Sequence, residues 1–300
     1  MNIPEYPYFV PISFDMKNEI DFYLQKLPDG ISELTFLNLY LFRETYKYKI
    51  AKTDKLLIVT GEYKKQPFFI TPCCVVNTEI TRQLLHRYKN WMIVSQSFLD
   101  NNKEVFELPY FRALKTEEDR DNFDYIYLRK DLAELAGKRF HKKKTHINKF
   151  ESSYTDISIK PLTLENKNDA EKVLELWAVS HPDKSPENSD YCAALDALSI
   201  LAQSAMIGIV VYIGGKPVAW TLAEITQNNK TAVILFEKAD TSYKGCFQYI
   251  NYAFARYLPD YIEFINREQD LGDEGLRQAK MTYNPVTFVK KYKITENDTD

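Results

Sequence analysis

The sequence predicts an α+β protein of two domains, with mixed, mostly antiparallel sheets flanked by helices. Three observations carry this reading. The chain has 300 residues, the length of roughly two ordinary domains. Hydrophobic residues make up 45% and aromatics 14%, which suffices for two packed cores. In the second half, two amphipathic helical patterns precede three apolar runs joined by short turns, an order that reads as helix, helix, antiparallel meander.

The first half reads as a series of short elements. Ser32 is placed to cap a helix over 32–46, where Leu34, Leu37, Leu41 and Phe42 have helical spacing. "KLLIVT" (55–60) and "PFFITP" (67–72) are apolar runs bounded by Gly61, Pro67 and Pro72, and predict strands. A helix over 78–88, a strand over 91–95 and an alternating strand over 123–130 follow. In the second half, helices are predicted over 166–181 and 187–204. "AMIGIVVYI", "PVAWTLAEI" and "TAVILFEKA" form the meander, turned by "GGK" (214–216) and "TQNNK" (226–230). A helix over 244–258 stops at Pro259, a strand occupies 261–265 and a closing helix 273–281. The acidic tail "TENDTD" is expected to fray. The predicted domains are 1–130 and 131–300, and no sequence repetition links them.

Composition excludes several classes. The N-terminus has neither a basic region nor a long apolar run, so it is not read as a signal peptide. The purest apolar run, "MIGIVVYI" (206–213), is far short of the ~20 residues that span a bilayer. Cys73, Cys74, Cys192 and Cys246 have no metal-ligand or disulfide spacing and are expected as buried free thiols, with no metal. The chain reads as soluble and cytoplasmic.

One stretch departs from the overall balance of 39 basic and 42 acidic side chains. "GKRFHKKKTHINKF" (137–150) is basic throughout and lacks any acid. Taken as one helix over 131–150, it gathers Leu132, Ala136, Phe140, Ile147 and Phe150 on an apolar sector. Lys138, Lys142 and Lys149 fall opposite, flanked by Arg139 and His146. Such a face binds the phosphate of a tRNA acceptor end, lipid head group or nucleotide, contacts an anionic membrane surface peripherally, or is simply solvated. A net charge of −3 argues against an extended nucleic-acid footprint, and DNA is not expected as a partner.

Two further patches carry chemistry. "TAVILFEKADTSYKGCFQYI" is a strand, a loop ending in Lys244 and Gly245, then a helix. The first N–H groups of that helix suit a pyrophosphate, and Gly245 offers no side chain to obstruct it. In the acetyltransferase-like (GNAT) fold, the loop after such a meander receives an acyl donor's pyrophosphate. "FINREQDLGDEGLRQAKMTYNP" (264–285) crowds mixed charges and two glycines at a strand end, and Glu274, Arg277 and Lys280 recur along one helical side. Surface ion pairing is the plain alternative.

"LAGKRFHKKKTHINKF", "FEKADTSYKG" and "INREQDLGDEGLRQAKMTYNP", in this order and spacing, resemble the bacterial family sharing the catalytic domain of phosphatidylglycerol lysyltransferase, which includes soluble, stand-alone members. The resemblance covers essentially the whole chain. It implies two tandem GNAT (acyl-CoA N-acyltransferase)-like domains related to the Fem-type aminoacyltransferases. Arg277 and Lys280 then correspond to the basic residues of the closing motif, and Lys142 to Asn148 to the basic mid-chain helix. Membrane-anchored members move an aminoacyl group from aminoacyl-tRNA to a lipid head group. Their large transmembrane region is absent here, so the lipid acceptor is not carried over.

The expected activity is direct transfer of an acyl or aminoacyl group, from a coenzyme A thioester or aminoacyl-tRNA, to an amine or hydroxyl. Glu237 and Asp270 are the candidate bases, with Arg277 and Lys280 as further catalytic candidates. Lys238, Ser242, Tyr243, Lys244, Gly245 and Cys246 are candidates for the donor's phosphates. Lys138, Lys142, His146, Asn266 and Arg267 are candidates for the phosphate-bearing substrate. Coenzyme A fits the overall charge better than tRNA. The rival reading is a non-catalytic GNAT-like module that binds a phosphate-bearing ligand or anionic lipid.

Overall fold

The computed structural model describes residues 2–25, 27, 29–72, 76–186, 189–226 and 229–297. Cys73 and Cys74 and part of the "TQNNK" turn lie outside them; Cys192 and Cys246 are free thiols. The chain divides into two units, Met1–Asp124 with Val289–Asp300, and Tyr125–Phe288. The division falls at 124/125 rather than 130/131, and the chain from Val289 onward, expected in the second domain, belongs to the first unit, where Lys291–Thr295 forms a strand.

The first unit runs β1 (Val10–Pro11), α1 (Lys17–Leu24), α2 (Phe36–Leu41), β2 (Lys49–Lys52), β3 (Leu57–Tyr63), β4 (Gln66–Ile70), α3 (Thr78–Tyr88) and β5 (Asn90–Ser95). Short helices α4 (Gln96–Asn101), α5 (Lys103–Phe106) and α6 (Pro109–Arg112) precede β6 (Lys115–Glu118). Its sheet order is β1-β2-β3-β4-β5, then the C-terminal strand, then β6. β2, β3 and β4 form an antiparallel meander, and β5 returns parallel to β4 after α3.

The predicted helix over 32–46 shrinks to α2, capped by Thr35, whose side chain accepts from the Asn38 N–H. Ser32 has another task. Its hydroxyl donates to Glu33 and Asp124, and its N–H donates to Asp124 at 2.9 Å. Lys291, at the start of the C-terminal strand, places Nζ against Asp124 Oδ1 at 2.7 Å and against Glu33. All four residues are buried. Burial works to lower the lysine's pKa, but the two carboxylates outweigh it and raise it. This cluster fixes the last strand in the sheet: an ammonium taken out of water needs these acceptors.

The second unit runs β7 (Asp124–Leu128), α7 (Arg129–Glu134), α8 (His141–Ser153), β8 (Ile157–Pro161), α9 (Lys167–Val179), α10 (Tyr191–Ser199), β9 (Met206–Ile213), β10 (Lys216–Ile225) and β11 (Thr231–Ala239). It ends with α11 (Cys246–Tyr257), β12 (Phe264–Asn266), α12 (Glu274–Met281) and β13 (Thr287–Val289). Its sheet order is β13-β7-β12-β11-β10-β9-β8. β9, β10 and β11 are the expected antiparallel meander, and β12 returns parallel to β11 after α11. Helices α9 and α10 cover one face of the sheet; α11, α7 and α8 cover the other.

The basic stretch lies wholly in this unit, but 131–150 is not one helix. Leu135 turns left-handed (φ 48°) and Gly137 has φ 82°. Residues Lys138–Phe140 make a single 3-10 turn before α8 begins. The fold-back lets Leu132, Leu135 and Phe140 all reach the core and leaves Ala136 exposed. On α8, Ile147 and Phe150 are buried, and Phe150 stacks on Tyr249 of α11 at 4.4 Å. Lys138, Lys142 and Lys149 are exposed.

The cluster in the first unit gives a stability test. Lys291→Met leaves Glu33 and Asp124 facing each other without a cation and should cost about 3–5 kcal/mol in urea unfolding. Glu33→Gln keeps one carboxylate for the lysine and should cost less than half as much. Equal losses would contradict the charge assignment.

Candidate active site

The second unit's sheet opens between β11 and β12. Their parallel pairing covers Thr231 to Val233 against Phe264 to Asn266. β11 then runs on to Ala239, while the chain after β12 stays on β7, with the Arg267 N–H donating to Tyr125 O at 3.0 Å. Into this gap β11 presents Glu237 and the following loop presents Arg267. Nη2 of Arg267 meets Glu237 Oε1 at 3.1 Å, with both side chains mostly buried. With its amide oxygen turned to the guanidinium, Asn251 of α11 accepts from Nε at 3.1 Å and Nη1 at 3.0 Å. The Tyr283 ring lies 5.3 Å from the Arg267 guanidinium carbon. Burial pushes the Tyr283 hydroxyl up to about 12, so it stays protonated.

A β-bulge decides which residue of "FEKA" enters the gap. Ala232 and Ile234 face α11, so strict alternation would send Lys238 the same way. Ala223 pairs with Ile234, but Leu222 pairs with Phe236, so Leu235 is the inserted residue. Beyond it the parity flips, turning Glu237 and Ala239 toward α11. Lys238, expected at the donor, goes to the opposite face. It is 3% exposed, donates to both Asp190 oxygens at 2.6 Å, and lies 3.7 Å above the Trp177 ring. Burial lowers its pKa against the pull of Asp190.

The closing motif builds the loop that carries Arg267. Asn266 is buried and accepts from the Glu268 N–H at 2.8 Å. Lys280, 7% exposed, donates from Nζ to the carbonyls of Arg267 (2.7 Å), Glu268 (3.2 Å) and Gln269. Asp270 is held by Arg277 through two bonds (Nε 3.0 Å, Nη2 2.8 Å), by the Tyr125 hydroxyl (2.5 Å) and by the Gly272 N–H (2.9 Å). Burial opposes its charge, but these donors outweigh burial and hold its pKa below the ordinary carboxylate range. That arrangement suits a permanent anion rather than a proton acceptor, so Asp270 is a poor base. Arg277 and Lys280, expected at the reacting groups, instead hold the loop in place.

The loop before α11 also differs from expectation. Gly245 caps α11 at φ 92°, but a Cβ there would lie 3.6 Å from Phe150 Cδ2, an ordinary contact. The position needs glycine for its backbone, not to clear room for a ligand. The Cys246 N–H is already given to Tyr243 O, and its buried thiol, pushed up to about 12 mainly by burial, is inert. Ser242 gives its N–H to Asp240, and Tyr243 packs on Tyr154. Lys244 is exposed, as are Lys138, Lys142 and His146 of the basic stretch.

One basic residue not singled out from the sequence does enter the site. Lys143 of α8 is half-buried, and its Nζ sits 3.8 Å from the Tyr283 ring centroid. The helical projection counted lysines opposite the apolar sector; Lys143 lies within that sector, between Phe150 and Ile147, where a long side chain reaches inward. The matching gap in the first unit, where β4 and β5 part after Phe69 and Trp91, is walled by Ile31, Leu34, Trp91, Val94 and Phe98. Its carboxylate, Asp29, accepts from Ser97. Among the described residues no group of three or more His, Cys, Asp or Glu could hold a metal, and no helix is long and apolar enough to cross a membrane.

Residues 24–295 match the family described as phosphatidylglycerol lysyltransferase, C-terminal, and the chain belongs to it. A solved protein of unknown function from Bacteroides thetaiotaomicron superposes with a TM-score of 0.83 at 29% identity, covering 96% of this chain and 99% of that one. L-PGS from Bacillus licheniformis gives 0.61 at 12% identity, over 99% and 95% of the two chains. FemX (0.54) and a tandem GNAT protein of clavulanic acid biosynthesis (0.51) share the architecture at 9% identity each. The fold is therefore α+β and tandem GNAT-like. An uncharacterised protein of Mycoplasmoides gallisepticum is 24% identical over 172 residues, 57% of this chain; the match spans about half that relative's length (55%).

Two substitutions test the local account. Lys280→Met strands three carbonyls and should cost roughly 3 kcal/mol in urea unfolding; a neutral effect would contradict the loop assignment. Gly245→Ala should cost about 1–2 kcal/mol from backbone strain alone. A loss beyond about 3 kcal/mol would reveal a clash absent from this geometry.

Proposed function

We propose that this chain transfers an activated acyl or aminoacyl group to an amine or hydroxyl by direct displacement in the gap between β11 and β12. The observation carrying this reading is the convergence of Glu237, Arg267 and Lys143 on an opening in the sheet beside the start of α11. Family membership supports the coarse class.

Each group has a role that its surroundings suit. The Glu237 carboxylate takes the proton from the attacking N–H or O–H. Arg267, bonded through Nη2 to Glu237 and through Nε and Nη1 to Asn251, opposes the charge developing on the carbonyl oxygen mainly through its own positive charge. The donor's phosphates meet Lys244 and the N–H groups of Phe247 and Gln248, which have no intrahelical acceptor in the first turn of α11. Donors of this kind, coenzyme A thioesters and aminoacyl-tRNA, are cytoplasmic, and the reading places the protein there. Lys238, Asp270, Arg277 and Lys280 act on the scaffold, not on substrate.

The test is transfer of radiolabelled acyl groups from a coenzyme A thioester pool and from charged tRNA to a panel of amines, alcohols and lipids. Glu237→Gln should lower turnover by roughly 10²-fold or more, in a variant that stays folded by circular dichroism but loses some stability because the buried Arg267 loses its carboxylate. Binding of a donor without transfer to any acceptor would favour the non-catalytic module instead.

A further inference from the structure

Lys143 is placed in a way that plain packing does not explain. Its ammonium is half-buried against Tyr283, and the Arg267 guanidinium shares that ring. Among the described residues no carboxylate or carbonyl accepts a hydrogen bond from its Nζ. The nearby carboxylate, Glu237, is bonded to Arg267. Two cations thus share one aromatic wall while Glu237 is bonded to Arg267, leaving an uncompensated positive charge in a partly desolvated opening. Such an arrangement is costly unless a ligand completes it.

We propose that Lys143, Arg267 and the Tyr283 ring form an anion site for a phosphate group of the donor or the acceptor, and that filling it loads a proton onto Lys143. Identifying the phosphate as donor's or acceptor's rests on the transferase reading; the anion site itself does not. Arg267 has committed Nε, Nη1 and Nη2 to Asn251 and Glu237, so it contributes mainly charge. The three N–H donors of Lys143 make the direct contacts. The proton linkage follows from the surroundings. Burial, then the Arg267 charge, press the Lys143 pKa down to about 8. The groups facing the pair are Tyr283 from the turn after α12 and Tyr127 from β7, both held protonated by burial, and Glu237 from β11, already paired. Neighbouring Lys144 lies over Tyr252 instead. An arriving anion reverses the local charge and restores the ammonium.

Sulfate is a suitable probe because it does not titrate in this range. Calorimetry at pH 8 in buffers of different ionisation heat should show sulfate binding with uptake of roughly half a proton, falling toward zero near pH 6.5. Lys143→Met should weaken sulfate binding about tenfold and abolish the uptake. Lys143→Arg should keep the binding and lose the uptake, and it remains informative if the methionine variant does not fold. Lys142→Met should change neither. No sulfate binding, equal binding in Lys143→Met, or uptake persisting in Lys143→Arg would each overturn the proposal. Competition then separates the sources: displacement by glycerol 3-phosphate assigns the site to an acceptor head group and displacement by coenzyme A to the donor, while displacement by neither overturns the phosphate assignment. Proton-linked binding in a protein that transfers nothing would keep the site and remove the transferase reading; turnover without such binding would do the reverse.

Discussion

The second unit's site depends on how one buried ammonium is satisfied. Lys280 sits at the end of α12 with three donors, and the loop after β12 supplies three consecutive carbonyls to meet them. An ammonium removed from water without such acceptors is costly by several kcal/mol, so the loop has little freedom to move away. Its first residue, Arg267, is thereby delivered to the opening where β11 and β12 part. Asp270, clasped by Arg277 and Tyr125, closes the same loop from its far end. The dense charges of this segment therefore act mainly on one another, and Arg267 is the member that reaches the opening.

A second constraint is the parity of β11. Glutamate and lysine are adjacent in "FEKA", and one inserted residue decides which of them enters the opening. Alternation read from the sequence assigns faces correctly up to Ile234 and inverts them afterwards. A bulge has no composition signal of its own, because Leu235 is an ordinary strand residue. Both Glu237 and Lys238 were reasonable candidates from the sequence, and only the register separates them.

The strongly periodic parts of the fold were legible. The meander, the helix over 78–88 and the strand-to-helix passage through Gly245 lie where the apolar spacing put them, while the strand expected over 261–265 forms at Phe264–Asn266. What was not legible depends on distant partners. Ser32 has the chemistry of a helix cap, but Asp124 and Lys291 claim its hydrogen bonds from across the first unit. Residues 131–150 fit one helix by periodicity, and only the demand to bury Leu135 and Phe140 together explains the break at Gly137. The basic stretch was visible as a charge anomaly, yet its exposed lysines were the conspicuous ones. Lys143, which helical spacing puts inside the apolar sector, is the one drawn to the tyrosine ring.

The central claim is that substrate engages the opening between β11 and β12 of the second unit. Hydrogen–deuterium exchange with and without a non-transferable donor analogue tests it most directly. The account predicts slowed exchange in three segments: the end of β11 through the first turn of α11, the loop 266–272, and the first two turns of α8. Protection confined to the first unit, or to the exposed lysine face without the β11 and 266–272 segments, would contradict it.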